Sequence, residues 1–168
     1  HAIALDSRPR YYLLLHKPDG VVSSAEEDVD DRGRPTVRSL LRGIKERLYP
    51  VGRLDYHSRG LIILTNDGDF AAHLTHPRSG VVKTYHAKFQ GRLENEDLDH
   101  LRAGVVLEDG TKTLPAVEVV RIKQTESNDW IQIGLRQGLY RQIRRMGDAI
   151  GHPVLKLIRV GIGDIDID

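Results

Sequence analysis

An α+β fold is what this sequence predicts, on three observations. Apolar residues alternate, or run unbroken for a few positions, over residues 11–16, 61–64, 81–89, 116–122, 130–135 and 154–160, as strands require. Helical spacing is confined to a few stretches, and these do not alternate with the strands as a repeated βαβ unit would demand. At 168 residues, with 29% charged and 39% hydrophobic side chains, the chain can bury one core, or two small lobes sharing one sheet.

Taken in order, residues 1–10 are polar and without periodicity, and read as a linker or the remnant of a preceding unit. The folded domain is expected over residues 11–168. Residues 11–16 form a first strand, closed by Lys17-Pro18-Asp19-Gly20, where proline fixes φ and Asp-Gly completes a turn. Val21-Val22-Ser23 is expected to run back as a second strand. The acidic Glu26 to Asp31 stretch and Arg32-Gly33-Arg34-Pro35 form a loop, after which Thr36 can cap a helix through Leu40 and Leu41 to Ile44.

Residues 51–54 lead to Asp55, and the run Leu61-Ile62-Ile63-Leu64 ends at Asn66-Asp67-Gly68. A helix that Asp67 or Asp69 can begin follows through Phe70, Leu74 and Thr75 and stops at Pro77. Its Asp69, His73 and His76 have spacing that a metal site can use, but helix-end histidines are more often capping or surface residues, and no metal is expected. Residues 81–89 place Lys83, Tyr85, Ala87 and Phe89 on one face of a strand. Leucines at 93, 98 and 101 mark a helix ended by Gly104. Residues 105–107, 116–122 and 130–135 read as strands joined by Asp109-Gly110 and Ser127-Asn128-Asp129 turns. Ile143, Met146 and Ile150 give the last helix one buried face, with Arg144 turned inward and Arg141 and Arg145 sharing another face. After Gly151-His152-Pro153, residues 154–160 return as a strand.

No apolar run approaches the length of a membrane span or a secretory signal, so no membrane partner is expected and cytoplasm is the expected compartment. The absence of cysteine excludes disulfides and thiolate chemistry. A formal net charge of +1 hides an uneven distribution, because residues 136–159 carry six basic side chains against Asp148 alone. Such a face can bind phosphates, although solvated surface is the plainer reading.

The motifs Gly52-Arg53-Leu54-Asp55 and Leu64-Thr65-Asn66-Asp67-Gly68, in that order and spacing, resemble the RsuA-type family of RNA pseudouridine synthases. The resemblance continues at Tyr11 to Val21, at Lys83-Thr84-Tyr85 and at Arg141-Gln142-Ile143-Arg144-Arg145-Met146, and so covers nearly the whole chain. It implies the pseudouridine synthase fold, with a central, mainly antiparallel mixed sheet flanked by helices and an RNA-binding cleft. Many family members carry an S4-type RNA-binding domain ahead of this unit, and these 168 residues have no room for one.

The resemblance further implies that a uridine in ribosomal RNA, more specifically large-subunit RNA, is isomerised by a monomer without cofactor. Asp55 is the implied catalytic carboxylate, acting as nucleophile at C1′ or as base at the 2′ position. Desolvation alone would neutralise such a carboxylate, and the implied opposing cation is Arg144. From pattern alone Tyr85 is a core or cross-strand residue; the resemblance makes it the surface against which the target base lies. Arg53, Arg141, Arg145, Lys156 and Arg159 are candidates for holding phosphates. Leu157 is expected on the apolar side of the pocket, or in ordinary core.

The sequence departs from the common family pattern at Tyr56-His57-Ser58-Arg59, at Leu139-Tyr140 where asparagine usually precedes Arg-Gln, and at Gly147 where cysteine is frequent. These departures bear on which RNA is recognised. Two alternatives stand beside the main reading: a silent RNA-binding module of the same fold, and a pseudouridine synthase acting on transfer RNA. A two-carboxylate glycosidase would need a second acid about 5 to 10 Å from Asp55, and Asp67 and Asp69 lie in the helix-start region instead.

Overall fold

The apolar run at residues 61–64 becomes the hub of the sheet because it can be buried on both faces. In the structure, a computed structural model that describes residues 8–167, this run lies in β3 (Arg59–Thr65), where six of seven residues are buried. β1 (Tyr12–Lys17) pairs antiparallel along one edge of β3, and β2 (Tyr49–Val51) along part of the other. Ile62 and Leu64 pack with Val37, Leu48 and Leu54 on one face, while Leu61 and Ile63 pack with Val51 on the other. Such a two-sided strand shows as an unbroken apolar run rather than an alternation.

β3 also pairs with β7 (Val154–Ile162), and this is the sheet's parallel junction. From there the order continues through β4 (Lys83–Gln90), β6 (Asn128–Leu135) and β5 (Glu118–Gln124), all antiparallel, with the short β8 (Ile165–Asp166) on β7. The expected mainly antiparallel, mixed α+β sheet is therefore present. Gly60 makes the parallel junction possible, since a Cβ there would lie 2.2 Å from the Arg159 carbonyl oxygen.

Three α-helices are present among the described residues. α1 (Gly68–Thr75) starts where Asp67 accepts from Phe70 N at 3.1 Å, and Pro77 follows its end. α2 (Asn95–Ala103) opens on a capping box formed by Glu94 and Asp97. α3 (Gln142–Ala149) buries Ile143 and Met146 against Phe89, Ile131 and Leu157. At Gly147 a Cβ would stand 2.7 Å from the His152 carbonyl oxygen. α3 thus sits closer to the chain that follows it than a cysteine at this position would allow.

Four expectations are corrected. Val21–Ser23 is not a returning strand. β1 takes β3 as its partner, and Val22 makes one parallel bridge to Thr36. The reason is a long-range contact: Gly20 N bonds Tyr56 O at 2.9 Å, drawing the chain away from β1. The helix from Thr36 is a single 3-10 turn, Val37–Leu40, capped by Thr36 as expected but ended before Gly43 at φ +80°. Residues 105–107 alternate in burial yet make one bridge, Val106 to Lys112, around the Asp109-Gly110 turn. Asp129, expected in a turn, is fully buried in β6, where Arg121, Gln124 and Leu93 N bond its carboxylate.

Of the expected linker, residues 1–7 lie outside the described residues. Pro9 and Arg10 dock on the β3–α1 turn, with Asn66 Nδ2 donating to Pro9 O at 3.0 Å and Arg10 pairing with Asp67 at 3.4 Å.

Candidate active site

The segment between β2 and β3 is pinned along its backbone. Ser23 Oγ donates to Leu54 O at 2.5 Å and accepts from Leu54 N at 3.0 Å. Ser58 N closes a turn on Asp55 O at 3.0 Å, and Gly20 N holds Tyr56 O. Asp55 therefore stands on a short loop fixed on both sides, with its side chain a quarter exposed.

Beneath this loop lies Lys17, fully buried at the end of β1. Its ammonium donates to Pro18 O at 2.9 Å and Val21 O at 2.8 Å. Burial lowers its pKa to about 8, against the partial opposition of the Asp19 and Asp55 charges. The Lys-Pro-Asp-Gly turn read from the sequence is thus the seat of the Asp55 loop.

Two guanidiniums reach the same Asp55 oxygen. Arg141, the N-cap of α3, hydrogen-bonds Oδ2 directly. The Nε of Arg144 lies 3.7 Å from that oxygen, while its Nη2 donates to His57 O at 2.9 Å. Arg144 is the more buried of the two, and burial, then the Arg141 charge, lowers its pKa. It stays cationic, because a guanidinium begins far above neutral pH. Arg144 does lie within ion-pair distance of Asp55, but the closer cation is Arg141, which sequence reading assigned to phosphates.

A cleft of about 810 Å³ opens over this pair. Tyr85 and Leu157 line it, and so does Arg159. In the β4–β7 ladder Tyr85 is registered opposite Arg159, and Ala87 opposite Leu157. Tyr85 is half-buried, touching both large core clusters, so the pattern-based reading as packing residue and the cleft position hold together. Arg53 is exposed at the cleft.

The remaining candidates separate. Arg145 was expected to be free for phosphate; it is engaged instead, with Nε 2.7 Å from Glu108 and Nη2 3.0 Å from Asp109. Lys156 is exposed but does not line the cleft. Arg159, expected on a basic surface, is 2% exposed and donates from Nε to Leu61 O at 2.9 Å. Asp67 caps α1 and bonds the Tyr12 hydroxyl, away from the cleft, and Asp55 is the one carboxylate among the cleft-lining residues. That arrangement does not suit two-carboxylate glycoside chemistry.

The cleft wall also holds Arg34, Tyr56 and Lys83, none of which sequence reading named as a site residue, although the charged loop that carries Arg34 was open to a ligand-clamping role. The Arg34 guanidinium lies 4.9 Å over the Tyr56 ring, which tethers the charged loop after β1 to the Asp55 turn. The signal available for Tyr56 was its place next to Asp55. Lys83 was visible only as part of its motif.

Residues 11–149 match the family described as RNA pseudouridylate synthase. The chain is 46% identical over 149 residues to the ribosomal large subunit pseudouridine synthase B of Bacillus subtilis (strain 168), spanning 88% of this chain and 59% of that protein's length. It is 38% identical over 170 residues to a ribosomal large subunit pseudouridine synthase E of Xanthomonas axonopodis pv. citri, spanning 93% of this chain and 87% of that one. A solved pseudouridylate synthase superposes with a TM-score of 0.82 at 28% identity, over 95% of this chain and 66% of that one.

Proposed function

The chain belongs to the RNA pseudouridylate synthase family, of the RsuA type, and from that premise we propose that it isomerises one uridine of large-subunit ribosomal RNA to pseudouridine, with Asp55 as the catalytic carboxylate. Residues 11–168 are the catalytic domain, acting as a monomer in the cytoplasm, without cofactor. The observation that supports this reading best is Asp55 itself, the single carboxylate lining a cleft, gripped by Arg141 and Arg144. The relatives whose names specify large-subunit RNA support the choice of substrate.

The reaction breaks the N1–C1′ bond, turns the uracil and joins C5 to C1′. The hydrogen on C5 leaves as a proton and N1 gains one, so no group or electron is exchanged with another molecule. Charge deficiency develops at C1′ as the first bond breaks, and an ionised carboxylate there stabilises it. Arg141 and Arg144 favour the ionised form. Reaching C1′ requires the nucleotide to leave its stack, at about a few kcal/mol. Tyr85, facing the cleft from β4, offers a plane to the extruded base, and Leu157 an apolar neighbour.

Mapping pseudouridine in ribosomal RNA from cells with and without the gene tests the assignment. One large-subunit position should lose its modification. An unchanged ribosomal map with a change in transfer RNA would move the substrate there, and no change in either would leave an RNA-binding module.

A further inference from the structure

The cleft is lined by Arg34, Arg53, Lys83, Arg141, Arg144 and Arg159, with Asp55 as the opposing acid. Asp55 is engaged by Arg141 and Arg144, and Arg34 by Asp30 at 2.7 Å. Among the described residues that leaves Arg53, Lys83 and Arg159 without an acidic partner, and of these Arg53 is exposed to solvent. Arg159 is nearly wholly buried, its Nε is fixed on Leu61 O, and its Nη2 is buried with no hydrogen-bond acceptor. Lys83 precedes Tyr85 by two positions on β4, on the same strand face, and Arg159 is registered opposite Tyr85 on β7. The Lys83 ammonium points toward Gly138, standing 3.6 Å from where a Cβ at that residue would be. Burial lowers the Lys83 pKa, and the Arg159 charge lowers it further.

Lys83, half-buried, and Arg159, nearly wholly buried, line the same cleft, where their charges repel and lack compensation. Compensation has to come from the ligand. A neutral uracil carbonyl would accept a hydrogen bond and leave both charges in place. A phosphodiester carries one full negative charge on two free oxygens, one for each donor, with charge-assisted geometry. We propose that Lys83 and the free Nη2 of Arg159 form a phosphodiester-binding site beside Tyr85, which grips the RNA backbone at the nucleotide whose base Tyr85 receives. The proposal rests on RNA being the substrate. It gives the lysine of Lys83-Thr84-Tyr85 a task distinct from that of the tyrosine: one side chain takes the backbone, the other the base.

The test is the salt dependence of binding to a fluorescent ten-nucleotide uridine RNA, for wild type, Lys83→Met, Lys83→Arg and Lys123→Met. Methionine keeps the stem and removes the charge; Lys123 is an exposed lysine of β5, outside the cleft lining. Loss of one phosphate contact should flatten the slope of log Kd against log salt by about 0.7 for single-stranded RNA. Affinity at low salt should fall about tenfold, as for a lost charge-assisted bond. Lys83→Arg should restore both, and Lys123→Met should change neither. Without RNA, Lys83→Met should melt at or above the wild-type temperature, because an uncompensated charge has been removed, whereas a merely structural lysine would lower it. An unchanged slope in Lys83→Met, an equal change in Lys123→Met, or no wild-type affinity for this RNA would overturn the site. The slope is read without turnover. A wild type that fails to isomerise yet shows this change loses the enzyme reading and keeps the site; one that isomerises with the slope unmoved loses only the site.

Discussion

Arg141 meets the Asp55 carboxylate from a left-handed backbone, φ +48°, the one such conformation at a non-glycine position among the described residues. A side chain in this region costs roughly 1 to 2 kcal/mol, and it persists where its surroundings hold it. Here the conformation begins α3 and delivers the guanidinium to Asp55. Arg144, three residues on, approaches the same oxygen from the buried side and ties down the Asp55–Ser58 turn through His57 O.

The two arginines should therefore fail differently. Arg144→Gln removes an anchor from the interior and should lower stability by about 3 kcal/mol, as for a broken buried pair. Arg141→Gln, whose side chain is a third exposed, should cost under about 1 kcal/mol while lowering turnover. Denaturant melts of both variants decide this, and equal losses of stability would contradict the division of labour.

Tyr85 combines a packing role with a place on the cleft wall, and substitution can separate them. Tyr85→Phe should keep RNA affinity near wild type, because the ring and its two core contacts remain. Tyr85→Ala should lose about 1 to 3 kcal/mol of binding, the worth of one stacked base, together with turnover. Wild-type affinity and kinetics in a folded Tyr85→Ala protein would return Tyr85 to the core alone.

Lys17 makes stability depend on alkaline pH. Its ordinary value is 10.5 and its folded value about 8. Between the two, the unfolded chain holds a proton that the folded chain has released, so stability rises with pH across that interval. Below about pH 8 both states are charged and the burial cost is present in full. Wild type should gain on Lys17→Met as pH is raised from 7.5 to about 10, in paired denaturant melts. A difference that does not move with pH would contradict a charged, buried Lys17.

The motifs made much of this legible, because each combines a turn chemistry with a strand or helix boundary: Lys17-Pro18-Asp19-Gly20, the Asp55 loop and the Asp67 cap all appear where they were expected. The unbroken run in β3 also read correctly, being buried on two faces. The partner of β1 was not legible, since local turn signals favour the next segment while long-range pairing with β3 wins. Asp129 misled for a related reason: in sequence it looks like a turn aspartate, and only the fold brings Arg121 to it. The split within the arginine block was hidden too. Helical spacing put Arg141 and Arg145 together, but Arg141 is the cap rather than part of the helix, and Glu108 and Asp109, distant in sequence, claim Arg145.

The hydrogen at C5 of the target uracil reports the reaction at Asp55 directly. Forming the C5–C1′ bond expels it, so ribosomal RNA labelled with tritium at uracil C5 should release tritium to water when the wild-type protein is added. Asp55→Asn keeps the size and the turn but cannot carry the charge; release should stop, while RNA affinity stays within about tenfold because phosphate contacts dominate it. No release by the wild type from any ribosomal RNA, or release by Asp55→Asn at the wild-type rate, would contradict the assignment of Asp55 as the catalytic carboxylate.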